Sequence, residues 1–420
     1  MSITSSFYSG LSGLDTHATA MQVIGDNLAN VQTTGFKNSS ANFEDVLGAS
    51  LNGVVGANQT GAGAMIGSVD GNFNQGSLET TDASTDVAIN GRGFFVMSDP
   101  SSQALSYTRA GHFTLNNQGY YVNTEGYKVQ GYLYDSTGTT LLETLSDIQI
   151  NENSMIPPKV TSNVNMVLNL NAQDTNETFD ITKPTTTSQY STAINIYDSL
   201  GQSHQIQLYF TKTADQTWSW NAVIDGSDVS GGTAGTLQLY GSGTLAFDAT
   251  GTLTTGQPET FYTGAITFAN GLTPPATDID FTNTTQYGTD SAIQKLGQDG
   301  YAAGTVSGIA IDGTGNIVAN YTNGTKKNIA RLALADFTNL NGLRRQGGTL
   351  YQATTASGDP IYNKPSVGGM GSISSSMLEE SNVDMAAEFI KMIVIQRGYQ
   401  ANTKVITTTD DMLNQLINIR

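Results

Sequence analysis

A chain of 420 residues and 44.3 kDa holds two to three ordinary domains and can bury real cores without staples. Its 18 Lys and Arg against 36 Asp and Glu give a net charge of -18, the wrong sign for gathering phosphates, so nucleic acid and anionic membrane surfaces fall away as partners. No Cys is present and His17, His112 and His204 are scattered, which excludes disulfides, thiolate metal sites and cysteine nucleophiles; no metal and no cofactor are expected.

The charged fraction of 13% is about half the usual ~25%, and 46 Gly with abundant Ser, Thr and Asn leave a polar, weakly charged surface. Such a surface suits extracellular β-proteins and subunits that pack against their own copies. No apolar run is long enough to insert in a membrane, and the opening MSITSSFYSGLSGL lacks the basic and apolar regions of a cleaved signal peptide.

In chain order, the first element is a helix to about Val31. Phe7, Leu11, Leu14, Ala18, Met21, Gly25 and Leu28 alternate in steps of four and three, the seam of a coiled coil, and Gly35 marks its end. Residues 35–70 are rich in Gly, Ser and Asn and read as an extended connector, as do 361–380. Between them everything reads as short strands, and Asp225-Gly226, Asp299-Gly300, Asp312-Gly313 and Asn323-Gly324 read as two-residue hairpin turns.

Residues 71–158 with 291–360 form a β-rich body, and 159–290 an inserted β-rich outer domain, carrying Lys159, Lys183 and Lys212 against twelve acidic residues. The last element is a second long helix from Val383, with Ser381 or Asn382 available as its cap. Its stripe is Ile390, Val394, Gly398, Ala401, Val405, Met412, Leu416 and Ile419, and Gly25 and Gly398 are placed for close approach of the two helices. The expected class is α+β, mainly β: terminal helices 1–34 and 381–420 in a coiled-coil-like inner domain, then sandwich- or barrel-like body and outer domains.

Pairing the two terminal helices covers one stripe of each and leaves Ile24, Val31, Phe389, Ile393, Leu413 and Ile417 bare, so neighbouring subunits are expected to supply the cover and the ends to order on assembly. Trp218 and Trp220 are expected in a core or a contact between subunits, with a sugar-stacking platform as the alternative; His17 is expected on the helix surface. No P-loop, G-x-S-x-G or H-E-x-x-H motif is present, and no catalytic residue is assigned.

The ends carry a familiar lettering. Asn27-Leu28-Ala29-Asn30, Thr33-Thr34-Gly35-Phe36, Ser381-Asn382-Val383 and Gln396-Arg397-Gly398-Tyr399-Gln400-Ala401-Asn402 resemble the terminal signatures of the bacterial flagellar rod and hook proteins. Gly91 to Val96 and Tyr107 to Phe113 resemble that family's body domain, and Ile196 to His204 the outer domain of its hook branch; Asp26 stands where the family usually has Asn.

The resemblance implies a structural subunit, not an enzyme, that leaves the cell through the flagellar type III export apparatus without a cleaved signal. It polymerises with itself into a curved tube outside the cell that passes motor torque from rod to filament. The implied partners are the distal rod, the hook cap and the hook-filament junction proteins. The alternatives are a distal-rod member of the family, or a secreted polysaccharide-binding or polysaccharide-cleaving β-protein.

Overall fold

A computed structural model describes residues 3–50, 59–151, 155–255, 257–262, 264 and 266–418. Ile419 of the expected seam lies outside the described residues, as does the side chain of Leu416. Two compact units divide the chain: the first takes the described residues of 1–152, 308–320 and 326–420, the second those of 153–307 and 321–325.

The first unit opens with helix α1 (Ile3–Ala29) and closes with a long helix, α3 (Met385–Asn418); a single turn in the second unit, Pro184–Thr187, is α2. The cap of α3 is Asp384, whose carboxylate accepts from the backbone N–H of Ala386 at 2.9 Å and Ala387 at 3.2 Å. Ser381 and Asn382, the expected caps, lie too far upstream, and Asn382 serves elsewhere.

Residues 35–70 are not an extended connector. They hold most of a long antiparallel hairpin, β1 (Ser39–Ser50) with β2 (Gln59–Gly71), which pairs Ser39 with Gly71 and Phe43 with Ile66 and lies against α1. Residues 361–380 likewise contain strands: Ser372–Ser375 pairs with Val87–Asn90, and Met377–Glu379 with Leu78–Thr80. These segments lack the apolar alternation that marks a strand, because backbone pairing carries them and few large side chains are buried.

The body of this unit is built around Phe94–Ser98, buried along its whole length. Alternation sends Phe95 and Met97 into one core with Phe113, Tyr121, Val129 and Ile148, while Phe94 and Val96 enter a second with Tyr107, Phe337 and Tyr351. Both faces of this strand are covered, so aromatic residues run consecutively in the sequence.

The second unit packs two sheets. Asn163–Asn171 runs parallel to Asp278–Asp280 and Thr285–Tyr287 and antiparallel to Ala292–Gln298. A four-stranded meander, Tyr190–Tyr197, Ser203–Ala214, Thr217–Asp225 and Leu237–Ala246, faces it across a core that includes Val164, Met166, Leu168, Ile206, Phe210, Trp218 and Trp220. Because Ala292–Gln298 completes the first sheet, this unit runs past the expected limit at residue 290 to 307.

One turn recurs throughout. In Asn116–Tyr120, Asn123–Tyr127, Asp198–Gln202, Asp248–Thr252 and Asp312–Asn316 the first side chain accepts from the third and fifth N–H, and the fourth residue is Gly at positive φ. The glycine that makes the turn at Asp312 is therefore Gly315 at φ +79°, and not Gly313. Asp225-Gly226 opens a 3-10 turn instead of a two-residue hairpin.

Burial alone pushes the Asp198 carboxyl up, but the Gln202 N–H, the Asn270 amide, His204 and the Leu200 N–H together hold it below its ordinary 3.8. Asp299 has the same balance, with the Asn163 and Ser162 N–H groups and Lys159 outweighing burial. Both carboxyls are depressed on folding, so their stabilisation is complete above about pH 3.8 and is lost as the pH falls through the depressed values. Trp218 and Trp220 are the chain's two tryptophans and sit in this core, so fluorescence reports this unit selectively. Asp198→Asn and Asp299→Asn are expected to flatten the acid limb of the fluorescence-monitored stability curve below pH 4; an unchanged limb would show that these carboxylates carry no linkage.

Candidate functional site

The terminal helices pack side by side, but through a different face from the apolar seam. On α1 the buried positions are Gly10, Thr16, Ala20, Ile24 and Asn27; on α3 they are Glu388 and Thr409, with Ile395, Asn402 and Ile406 half-buried. The contact is close because it is small. A Cβ at Gly13 would lie 2.6 Å from the Asn402 amide nitrogen, and one at Gly398 would lie 2.7 Å from the His17 ring. His17 is thus part of the helix crossing, its ring tilted against Phe43 of β1 at 5.4 Å, and not a surface residue.

The expected seam points elsewhere. Phe7, Leu11, Gly25, Ile390, Val394, Ala401, Val405 and Met412 are exposed, Leu14, Ala18, Met21 and Leu28 are half-buried, and Gly25 meets nothing within 4 Å. Of that set, Gly398 sits at the crossing and Val405 reaches its edge, 3.5 Å from a Cβ placed at Gly10, while Gln396, Arg397, Tyr399 and Gln400 beside Gly398 are exposed. On α3 the large apolar groups fall one position away from the contact face: Ile390 and Val394 are 63% and 64% exposed, while Phe389 and Ile393 are about half exposed.

The hairpin corrects one expectation about the ends. Ile24, expected to be bare within a single chain, is covered by its own chain and only 5% exposed. Hydrogen bonds fix the hairpin to α1: the Ser12 hydroxyl accepts from Ala64 N–H at 3.3 Å, and Asn27 both accepts from Ser39 N–H at 2.9 Å and donates to its carbonyl at 2.8 Å.

Below the helices lies a collar of signature residues. Gly35, at φ +68°, lets the chain pass within van der Waals reach of Ala110, where a Cβ would sit 2.4 Å from that residue's nitrogen. Its N–H donates to the Glu379 carbonyl at 2.7 Å. Asn382 accepts from Asn38 N–H at 2.8 Å and donates to the carbonyls of Asn72 and Asn74, and Phe36 is buried under the Arg345 guanidinium. Asn27 also donates to Glu388 at 3.3 Å, which ties α1 to α3. Asn30 holds Thr33 at the helix exit; Leu28, Thr34 and Ser381 are half-buried, Val383 is buried with its N–H donating to the Ser381 hydroxyl at 3.4 Å, and Ala29 is exposed. Asp26 accepts from the Asn30 amide at 3.1 Å.

The centre of the collar is a buried carboxylate that sequence reasoning missed. Glu379 receives Lys37, Arg109 at 3.3 Å and the Gly76 N–H at 2.9 Å, with no side-chain exposure. Burial pushes the Lys37 ammonium below its ordinary value, and Glu379 pulls it part of the way back. The one available signal was Lys37, a lone charge between Asp26 and Glu44 in the N-terminal signature.

Trp218 and Trp220 are fully buried, and Trp220 donates to Glu259 at 2.7 Å, so neither offers a face to a sugar. The geometry is that of a helical pair with an unpartnered apolar band, locked to a β-body.

Four family models follow one another along the chain: flagella basal body rod protein over 7–37, the flagellar hook protein FlgE/F/G D1 domain over 88–165, the flagellar basal body protein FlaE D2 domain over 168–301, and the flagellar basal body rod FlgEFG protein C-terminal region over 374–419. The flagellar hook protein FlgE of Salmonella typhimurium is 33% identical over 420 residues, covering 99% of this chain and 100% of that protein. The chain belongs to the flagellar hook protein FlgE family. Another member, from Treponema pallidum, is 34% identical over 466 residues, with 99% of each chain covered. The crystal structure of the Helicobacter pylori hook protein FlgE2 shares the fold, with a TM-score of 0.51 at 19% identity, over 72% of this chain and 100% of that one.

In this FlgE-family chain one carboxylate serves two buried cations, so Glu379→Gln strands both and should cost about 3–5 kcal/mol in denaturant unfolding of the first unit. Lys37→Met leaves Glu379 paired with Arg109 and should cost clearly less. Equal losses would contradict the shared-anion account.

Proposed function

We propose that this chain is the structural subunit of the flagellar hook and that it polymerises by burying, against neighbouring copies, the apolar band its terminal helices leave exposed. The observation that carries the reading is the mismatch between the two faces of α3: Glu388, Gly398, Asn402 and Thr409 with the half-buried Ile395 and Ile406 face α1, while Ile390, Val394 and Met412 stay mostly in solvent. Large apolar side chains in register on a helix are costly to leave exposed and favour a partner.

Likeness to the family supports the finer parts of the reading. The helices form the innermost layer of a tube. The tube is curved, stands outside the cell, and passes torque from the rod to the filament; its partners are the distal rod, the cap, the junction proteins and the type III export apparatus. No catalytic step belongs to this function. Weakly charged, Gly- and Thr-rich outer faces favour it, since water-mediated polar contacts re-form as copies slide while a large apolar face resists sliding.

Ile390→Ser with Val394→Ser tests it. Both side chains are exposed, so monomer stability should change by no more than about 0.5 kcal/mol per site. Burial of the pair in a polymer is worth about 3 kcal/mol at ~1.5 kcal/mol each, so the concentration needed for tubes by electron microscopy should rise roughly a hundredfold. Tubes at the parent's concentration would count against the reading.

A further inference from the structure

The exposed band is not uniform: it has a notch and a head. The notch, about 310 Å³, is lined by Ala20, Val23 and Ile24 of α1, Phe43 of β1, and Ile390 and Val394 of α3. Ile24 is its buried floor, and Phe43, Ile390 and Val394 are open rims. The charges at its mouth cancel, because Glu388 accepts from Lys391 at 2.7 Å and from Asn27.

The head is the start of α1, where Phe7 and Tyr8 pack edge to face at 6.2 Å and stand exposed with Leu11. No charged residue occurs before Asp15, so the head carries nothing that an apolar, neutral notch would have to desolvate. Leu11 lies thirteen positions before Ile24 on the same helix, roughly 20 Å away at 1.5 Å per residue, so the head cannot fill its own notch while α1 is intact.

We propose that the notch receives the Phe7, Tyr8 and Leu11 head of a second copy of this chain. The inference rests on the polymer reading and specifies which surfaces meet. Head and notch are different patches, so the contact is heterologous: each copy offers a free head at one end and a free notch at the other, and assembly runs on as a filament instead of closing in a dimer. Helices that meet this way in parallel are displaced by roughly 20 Å along their axis.

The absence of cysteine gives a clean test. Full-length chains carrying Leu11→Cys and Val394→Cys, assembled into tubes and treated with a short bismaleimide, should give a ladder of covalent multimers, absent from the dilute monomer and from either single variant. A second pair, Ser6→Cys with Ser40→Cys, places both thiols on exposed polar residues beside the head and on the notch rim and spares Phe7, Tyr8, Leu11, the apolar lining and the Glu388–Lys391 pair, so it should assemble as the parent does and give the same ladder. Leu11→Cys with Asn414→Cys, far along α3, should give none. Tubes from the rim pair without a ladder, or a link within one chain, overturn the head-in-notch contact and leave the polymer reading standing. A parent chain that forms no tubes at all overturns both.

Discussion

What the inner part of this molecule depends on is the smallness of the contact between α1 and α3. Gly13 against the Asn402 amide and Gly398 against the His17 ring bring the helices too close for a large group at those two points. The consequence is geometric. With 3.6 residues per turn, side chains next to a contact face point outward, so Ile390, Val394 and Val405 are delivered to solvent by the same packing that joins the helices. Dispersion and backbone proximity hold the pair within one chain, and the larger apolar surface is left exposed.

The collar transmits whatever happens to those helices. Glu379 lies on the strand Met377–Glu379, its carbonyl holds Gly35 just after α1, and its carboxylate holds Lys37 and Arg109. A buried pair of this kind is costly to desolvate and gains little net stability over an apolar substitute, yet it fixes one geometry, because any slip strands a charge. Asn382, bonded on three sides to Asn38, Asn72 and Asn74, does the same for the entry to α3 with uncharged groups. Load applied to the helices therefore reaches the β-body through directional bonds.

Much of this was legible in the sequence. Long helices without Pro, apolar 3-4 spacing and a charge-poor, turn-rich middle gave the helices, the β-rich units and the exposed band. The hairpin of β1 and β2 was not, because Ser, Gly and Ala strands with register breaks at Asn42 and Asp45 present no alternation to read. The contact face was misplaced by one position on α3 because periodicity finds the greasiest stripe, and here the greasiest stripe is not the one that pairs. Turn glycines were credited to Asx-Gly pairs, whereas the recurrent motif sets its glycine three residues after the Asx. The role of Lys37 and Glu379 needed three dimensions, since 342 positions separate them.

The central claim is that α3 is only half-partnered within its own chain. Amide hydrogen exchange on α3, compared between dilute monomer and assembled tube, tests it most directly. The account predicts weak protection from Phe389 to Met412 in the monomer and strong protection in the tube, with the Phe94–Ser98 strand protected in both. Full protection of that helix in the isolated chain would show that it needs no neighbours, and would contradict the account.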